Sequence, residues 1–313
     1  MRFVHDRLAP DVAGDGNNSA GGRDRGQNDE AHREPDQAPS HVGYANIVVD
    51  RSQRMAETLV SEKNPLLKQV RRAVARGSLT NDGWAVAESF HLLEEALASD
   101  CEIRAVIAAE SAETAVTARV KNRARVVVVP DAAFDQLAST DTPQGVIALV
   151  RPPVSTLEQL LRGRPLVVVL DGVQGPGNAG TILRTAEAFG GTGAAFLKGT
   201  VSPYNPKCLR ASAGSIFRLP VVASLDEAPL LAALEQKQVS LYAAMPRGET
   251  FVSEANLARG CAIVIGSEAR GVSAGLQARA TGVRIPTSGV ESLNAAVAAG
   301  VLLYEALRQR SSV

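Results

Sequence analysis

Apolar residues change their spacing along the chain, and the changes separate three regions. From residue 1 to about 54 no period survives: GDGNNSAGGRDRGQNDEAHREPDQAPS is polar and glycine-rich, which predicts a disordered tail with Met55 as an alternative start. Order is expected to begin near Ser61–Pro65, where Asn64 or Ser61 can cap and Pro65 can open the helix LLKQVRRAVARG that Gly77 stops. A strand around Trp84–Glu88 follows, then a helix with apolar Leu92, Leu93 and Ala96. Strands at Ile103–Ala108 and Arg125–Val129 flank a helix over Ala112–Val120, and VIALV follows the turn Thr142-Pro143-Gln144-Gly145. This alternation predicts a small α/β domain over residues 55–150, with Arg151-Pro152-Pro153 as the linker out of it.

The region 151–313 repeats the alternation on a larger scale. Its strands read LVVVLDGV, GAAFLKG, LPVVA, SLYAAM, CAIVIGSE and GVRIP, and helical periods lie at Gly180–Phe189, Pro206–Gly214, Ala228–Gln236 and Asn294–Gln309. The expected fold is α/β, a doubly wound, mostly parallel sheet, whose ligands bind beyond the carboxyl ends of the strands. Asp171–Asn178, Met245–Gly248, Gly266–Gly271 and Ile285–Asn294 fall at those ends.

Composition narrows the classes. The 313 residues carry a formal net charge of zero, so any face for nucleic acid must come from local clustering. Lys68, Arg71, Arg72 and Arg76 form one such cluster, on the helix face opposite Leu67, Val70 and Val74. It fits either an ordinary solvated face or a phosphate contact. The longest apolar runs are too short to cross a membrane, and no secretory signal pattern opens the chain. Cys101, Cys208 and Cys261 are odd in number and widely spaced, as expected of reduced thiols in a cytoplasmic protein without a structural metal. His91, the one histidine beyond the tail, has no imidazole or thiol partner in the sequence and reads as a structural or surface residue.

Gly175-Pro176-Gly177-Asn178-Ala179-Gly180 matches the glycine spacing of a dinucleotide turn between strand and helix. An acidic residue should end the next strand to hold the ribose; Phe196-Leu197-Lys198-Gly199 stands there instead. Plain NAD binding fails on that ground, while an NADP-dependent oxidoreductase stays open, without an identifiable hydride-transfer partner.

A second pattern covers more of the chain. Asn178-Ala179-Gly180-Thr181-Ile182-Leu183-Arg184, Ile265-Gly266-Ser267-Glu268-Ala269-Arg270-Gly271, and Ile285-Pro286 with Glu291-Ser292-Leu293-Asn294-Ala295-Ala296-Val297-Ala298 resemble the three ordered motifs of the SpoU (TrmH-type) RNA ribose methyltransferases, of the SPOUT superfamily. Asn64-Pro65-Leu66, Glu88 with His91-Leu92-Leu93-Glu94-Glu95-Ala96, and Thr142-Pro143-Gln144-Gly145 resemble the small ribosomal-protein-like substrate-binding domain that many members carry. Relatives usually place a glycine after the glutamate at Glu88; here Ser89 occupies that position.

The resemblance implies transfer of a methyl group from S-adenosylmethionine to a ribose 2′-hydroxyl, in ribosomal rather than transfer RNA. It also implies a trefoil knot in the C-terminal sheet and a homodimer. The cofactor would be held by Ile265, Gly266, Ile285, Pro286, Leu293 and Asn294. Asn178, Arg184, Glu268, Ser292 and Asn294 form the implied catalytic set, with Asn178 and Glu268 orienting Arg184 toward a phosphate or developing alkoxide. The family often gives Arg184 the base role, although arginine resists deprotonation. The alternative, an RNA-binding protein of the same ancestry without catalysis, sits poorly with that intact polar set.

Overall fold

Asn64 opens the first helix as its side chain predicts. In the computed structural model, which describes residues 57–58 and 64–311, its Oδ1 accepts from the Leu66 amide at 2.8 Å. Pro65 fills the first turn, and Gly77 closes the helix at φ 60°. The tail expected over residues 1–54 lies outside the described residues.

The first sheet contains β1 (Glu57–Thr58), β2 (Ala85–Glu88), β3 (Ile103–Ala109), β4 (Val126–Val129) and β5 (Val146–Val150) in the order β1-β4-β3-β5-β2. Helices α1 (Pro65–Arg76), α2 (Phe90–Ala98), α3 (Glu113–Val120) and the short α4 (Asp131–Asp135) accompany it. Strands β4 and β5 are buried at every position, so their unbroken apolar runs form a core rather than an alternating face.

After α5 (Leu157–Leu160) comes the second sheet: β6 (Leu166–Asp171), β7 (Gly193–Leu197), β8 (Val221–Leu225), β9 (Ser240–Ala244), β10 (Thr250–Phe251), β11 (Cys261–Gly266) and β12 (Thr281–Arg284). The order β10-β12-β9-β11-β6-β7-β8 is parallel throughout. The chain winds outward from β6 to β8, then returns to build the other half, so the order reverses between β6 and β11. That is the switch point where such sheets bind ligands. Helices α6 (Pro176–Ala188), α7 (Pro206–Ser212), α8 (Glu227–Gln236), α9 (Ala274–Gln277) and α10 (Ala295–Ser311) cover the sheet. Helix α6 starts four residues before the expected Gly180, because Pro176 acts as a first-turn residue rather than part of a loop.

Sheet one is fastened to sheet two through α7. Glu88, only 4% exposed, accepts from the Ser139 amide at 2.9 Å, from the Ser139 and Thr140 hydroxyls, and from Arg210 Nη1 of α7 at 3.1 Å. A buried carboxylate needs that many donors to offset lost hydration. Arg218 adds a second tie, pairing with Glu95 of α2 and with Glu187 of α6.

Ser89, the departure from the family pattern, sits at φ 144°, a conformation that favours glycine. Its hydroxyl caps α2 by accepting from the Leu92 amide at 3.1 Å. The serine therefore trades backbone ease for a helix cap.

Candidate active site

Strands β6 and β11 run side by side from Leu166–Cys261 to Asp171–Gly266, bringing two loops together at their carboxyl ends. After β6 the chain turns at Gly172, φ 71°, and enters α6, which carries Asn178 in its first turn. After β11, Ser267 and Gly271 exchange backbone hydrogen bonds of 3.0 and 2.7 Å, closing a tight loop that presents Glu268. Gly266 is needed here for the chain itself: a Cβ would collide with the backbone of Gly271 and Val272.

A third element completes the cluster. Asn294 Oδ1 accepts from the Ala296 and Val297 amides at 2.9 and 3.3 Å, capping α10. That fixes which end of its amide faces outward. Its Nδ2 donates to Asn178 Oδ1 at 3.2 Å, and Asn178 Nδ2 donates to Glu268 Oε1 at 2.7 Å. Each amide has its carbonyl occupied on one side and its NH₂ on the other, so the relay has one polarity and ends on a carboxylate.

Beside this relay lies a cavity of about 430 Å³, within the range of small-molecule sites. Ile265, Gly266, Glu268, Ile285, Ser292, Leu293 and Asn294 line it, as the sequence motifs imply, together with Met245 and Pro246 beyond β9. Pro286 is a correction: it is exposed and does not line the cavity, because the extended chain turns Ile285 inward and the next residue outward. Ala244, Val283, Thr287 and Ala298 also contribute walls; none belongs to a motif quoted above except Ala298 near the end of the third. Small and apolar residues at strand ends give no local signal of ligand contact.

Arg184 is not brought to the relay. It lies six residues beyond Asn178, a spacing that places the two on different faces of α6, and it is exposed with no bond to Asn178 or Glu268. The expected orientation of Arg184 by those two residues therefore does not occur within one chain.

Of the glycines in the supposed dinucleotide turn, Gly180 serves packing. A Cβ on Gly180 would strike the Cys208 carbonyl and the Ala211 side chain of α7, whereas a Cβ on Gly177 would meet nothing within 4 Å. Lys198, the residue that could have met a ribose phosphate, pairs with Asp226 at 2.8 Å. Burial pushes the Cys208 thiol up to about 12 and also raises Cys261 and Cys101, which disfavours the thiolate form at each. Among the described residues no cluster of three His, Cys, Asp or Glu could hold a metal, and no helix is long and apolar enough to cross a membrane.

Comparison with known proteins agrees with this geometry. Residues 165–304 match the SpoU rRNA Methylase family and residues 64–148 the MRM3-like substrate binding domain. An uncharacterized tRNA/rRNA methyltransferase of Synechocystis sp. is 35% identical, covering 81% of this chain and 94% of that protein. The chain belongs to the SpoU family.

As a SpoU methylase it is an S-adenosylmethionine-dependent RNA 2′-O-methyltransferase. The 23S rRNA (guanosine(2553)-2′-O)-methyltransferase RlmP of Bacillus subtilis is 30% identical over 78% of this chain and 96% of its own length. Among solved structures, the SpoU methyltransferase AviRb from Streptomyces viridochromogenes in complex with AdoMet superposes with a TM-score of 0.73. It is 26% identical and covers 80% of this chain and 99% of its own. The cavity of this SpoU chain suits such a cofactor: Glu268 and Glu291, the latter paired with Arg247 at 3.4 Å, are its charged lining groups, no basic side chain lines it, and its apolar walls can bury an aromatic base. A sulfonium cation is favoured there and an anionic dinucleotide is not.

Proposed function

We propose that this SpoU methylase acts on a ribose 2′-hydroxyl of 23S ribosomal RNA in the cytoplasm. Residues 55–150 serve as its RNA substrate-binding domain and residues 151–313 as its methyltransferase domain. The observation that carries the reading is the one-way relay Asn294–Asn178–Glu268 at the mouth of a cavity with apolar walls and acidic but no basic lining groups. S-adenosylmethionine supplies an electrophilic methyl carbon when bound.

The chain's own work is to hold the acceptor in line and to manage its proton. Asn178 fixes the Glu268 carboxylate, leaving Oε2 to accept from the incoming hydroxyl or to balance positive charge beside it. Ser292, exposed on the cavity wall, positions ribose, and Ile265, Gly266, Ile285 and Leu293 hold the cofactor.

Arg184 reaches its partner groups in a homodimer. Val297, Val301 and Tyr304 form an exposed apolar row on α10, the helix that packs along α6. Phe189 meets Tyr304 edge-on at 5.7 Å, joining the C-terminal end of α6 to the middle of α10. A second copy on that row would receive Arg184 at its own site. The stacking of Gly248 on Gly282–Val283 and of Gly266 on Gly271–Val272 supports the tight crossing that the trefoil knot requires.

The test is methyl transfer from labelled S-adenosylmethionine to unmodified 23S rRNA, with transfer RNA as the competing substrate. Incorporation at a single ribose of 23S rRNA is expected. Asn178→Ala should lower kcat about 100-fold, the scale for losing one positioning donor in a catalytic site, while cofactor affinity changes little. Incorporation into transfer RNA alone, or full turnover by Asn178→Ala, would overturn the reading.

A further inference from the structure

Helix α1 contains no acidic residue. Lys68, Arg72 and Arg76 stand on one row at four-residue steps, spanning about 12 Å along the axis. All three are exposed, and none pairs with a carboxylate among the described residues, although Arg104, Arg119, Arg151 and Arg218 each do. Arg76 is even held in place by neutral groups, donating to the Arg72 carbonyl at 3.3 Å and to Asn81 Oδ1 at 2.8 Å. Three cations kept side by side without a counter-charge carry a repulsive cost that an external anion would relieve.

The row has a direction. Gly77, immediately after Arg76, packs so closely on Asn205 that any Cβ would collide with the Asn205 amide. Asn205 caps α7, two residues before Lys207, which is exposed and likewise has no carboxylate partner among the described residues. The loop leading into α7 lies at the carboxyl end of β6: Thr200 Oγ1 bonds the Leu170 carbonyl and the Gly172 amide, both at 2.9 Å, and the Val201 amide reaches the Val173 carbonyl at 2.9 Å. The basic row therefore runs from the first sheet toward the edge that carries Asn178 and Glu268, and the Glu88–Arg210 tie fixes its course.

We infer that Lys68, Arg72, Arg76 and Lys207 form one electropositive track that holds the phosphodiester backbone of the RNA substrate and leads it to the catalytic edge. The track rests on the proposed RNA substrate and adds a path for it. Lysine and arginine on a docked helix neutralise phosphates without reading bases, so the track supplies affinity and register rather than sequence choice.

The test uses the full chain and an unmodified ribosomal RNA transcript, with binding followed across a salt series. Lys68→Glu/Arg72→Glu on α1 and, separately, Lys207→Glu on α7 leave the cofactor cavity untouched. Each should raise KM and Kd for RNA, the double variant by at least about 10-fold, and each should flatten the slope of log K against log salt by roughly one per lost contact. Cofactor affinity and kcat at saturating RNA should stay as in the wild type, which also reports that the variants fold. Unchanged RNA affinity and salt slope in either variant would overturn the continuous track. If the wild-type chain methylates no RNA, the functional reading fails instead, and salt-dependent RNA binding through these four residues is still measurable.

Discussion

Arg210 and Glu88, 122 residues apart, share a 3.1 Å ion pair across the boundary between the two sheets, with Glu88 almost fully buried. Removing one side of a buried pair strands the other charge, at a cost of about 3–5 kcal/mol. Arg210→Met, which strands the buried Glu88 carboxylate, should lower unfolding stability toward that scale in urea titrations, and Glu88→Gln, which leaves the partly exposed Arg210, should cost less. The double variant should be less destabilised than the sum of the two. Strict additivity would show that the pair is not coupled.

Gly177 and Gly180 belong to the same glycine-rich turn yet should respond oppositely to alanine. Gly180→Ala drives a methyl into α7 and should cost about 1–3 kcal/mol, the usual range for overpacking. Gly177→Ala places its methyl in open space on a helix and should stabilise by roughly 0.5–1 kcal/mol. A pair of thermal melts checks both signs. Were the turn a phosphate cradle, Gly177→Ala would instead abolish binding.

Ser89 combines an unfavourable backbone angle with a useful cap. Replacement by glycine relieves a strain on the order of 1–3 kcal/mol and forfeits only a few tenths of capping. Ser89→Gly should therefore raise the melting temperature. Ser89→Ala keeps the strain and loses the cap, so it should lower stability by about 1 kcal/mol and the melting temperature with it.

Glu187 is bonded by Arg218, whose guanidinium holds its carboxyl below the usual carboxylate value of 4.5. A depressed folded-state value means the pair's stabilisation is fully present above about pH 4.5 and is lost as pH falls through the lower folded value. Arg218→Met should remove roughly 1 kcal/mol at neutral pH, the scale for a partly exposed pair. It should also flatten the acid limb of the stability profile. An acid limb identical to the wild type would exclude this linkage.

The strands were readable because β4, β5, β6 and β11 are near-continuous apolar runs rich in valine and isoleucine, as buried strands require. Short elements were not. β10 has two residues and α5 four, and the Thr156–Gln159 capping box of α5 is too brief to show a period. At the site, the motifs named Asn178, Glu268 and Asn294, but their bonding order depends on Asn294 capping α10, which sets the amide orientation only in three dimensions. The burial of Glu88 was likewise hidden, since its partners come from segments 51 and 122 residues away.

Because β11 is inserted between β6 and β9, the centre of the second sheet is paired with a strand made nearly a hundred residues later. During synthesis β6 must wait, with one edge open, until Cys261–Gly266 has left the ribosome, and Asn178 waits longer still for Asn294. A nascent chain that has not yet released Asn294 cannot assemble the relay, however completely β6 and α6 have formed.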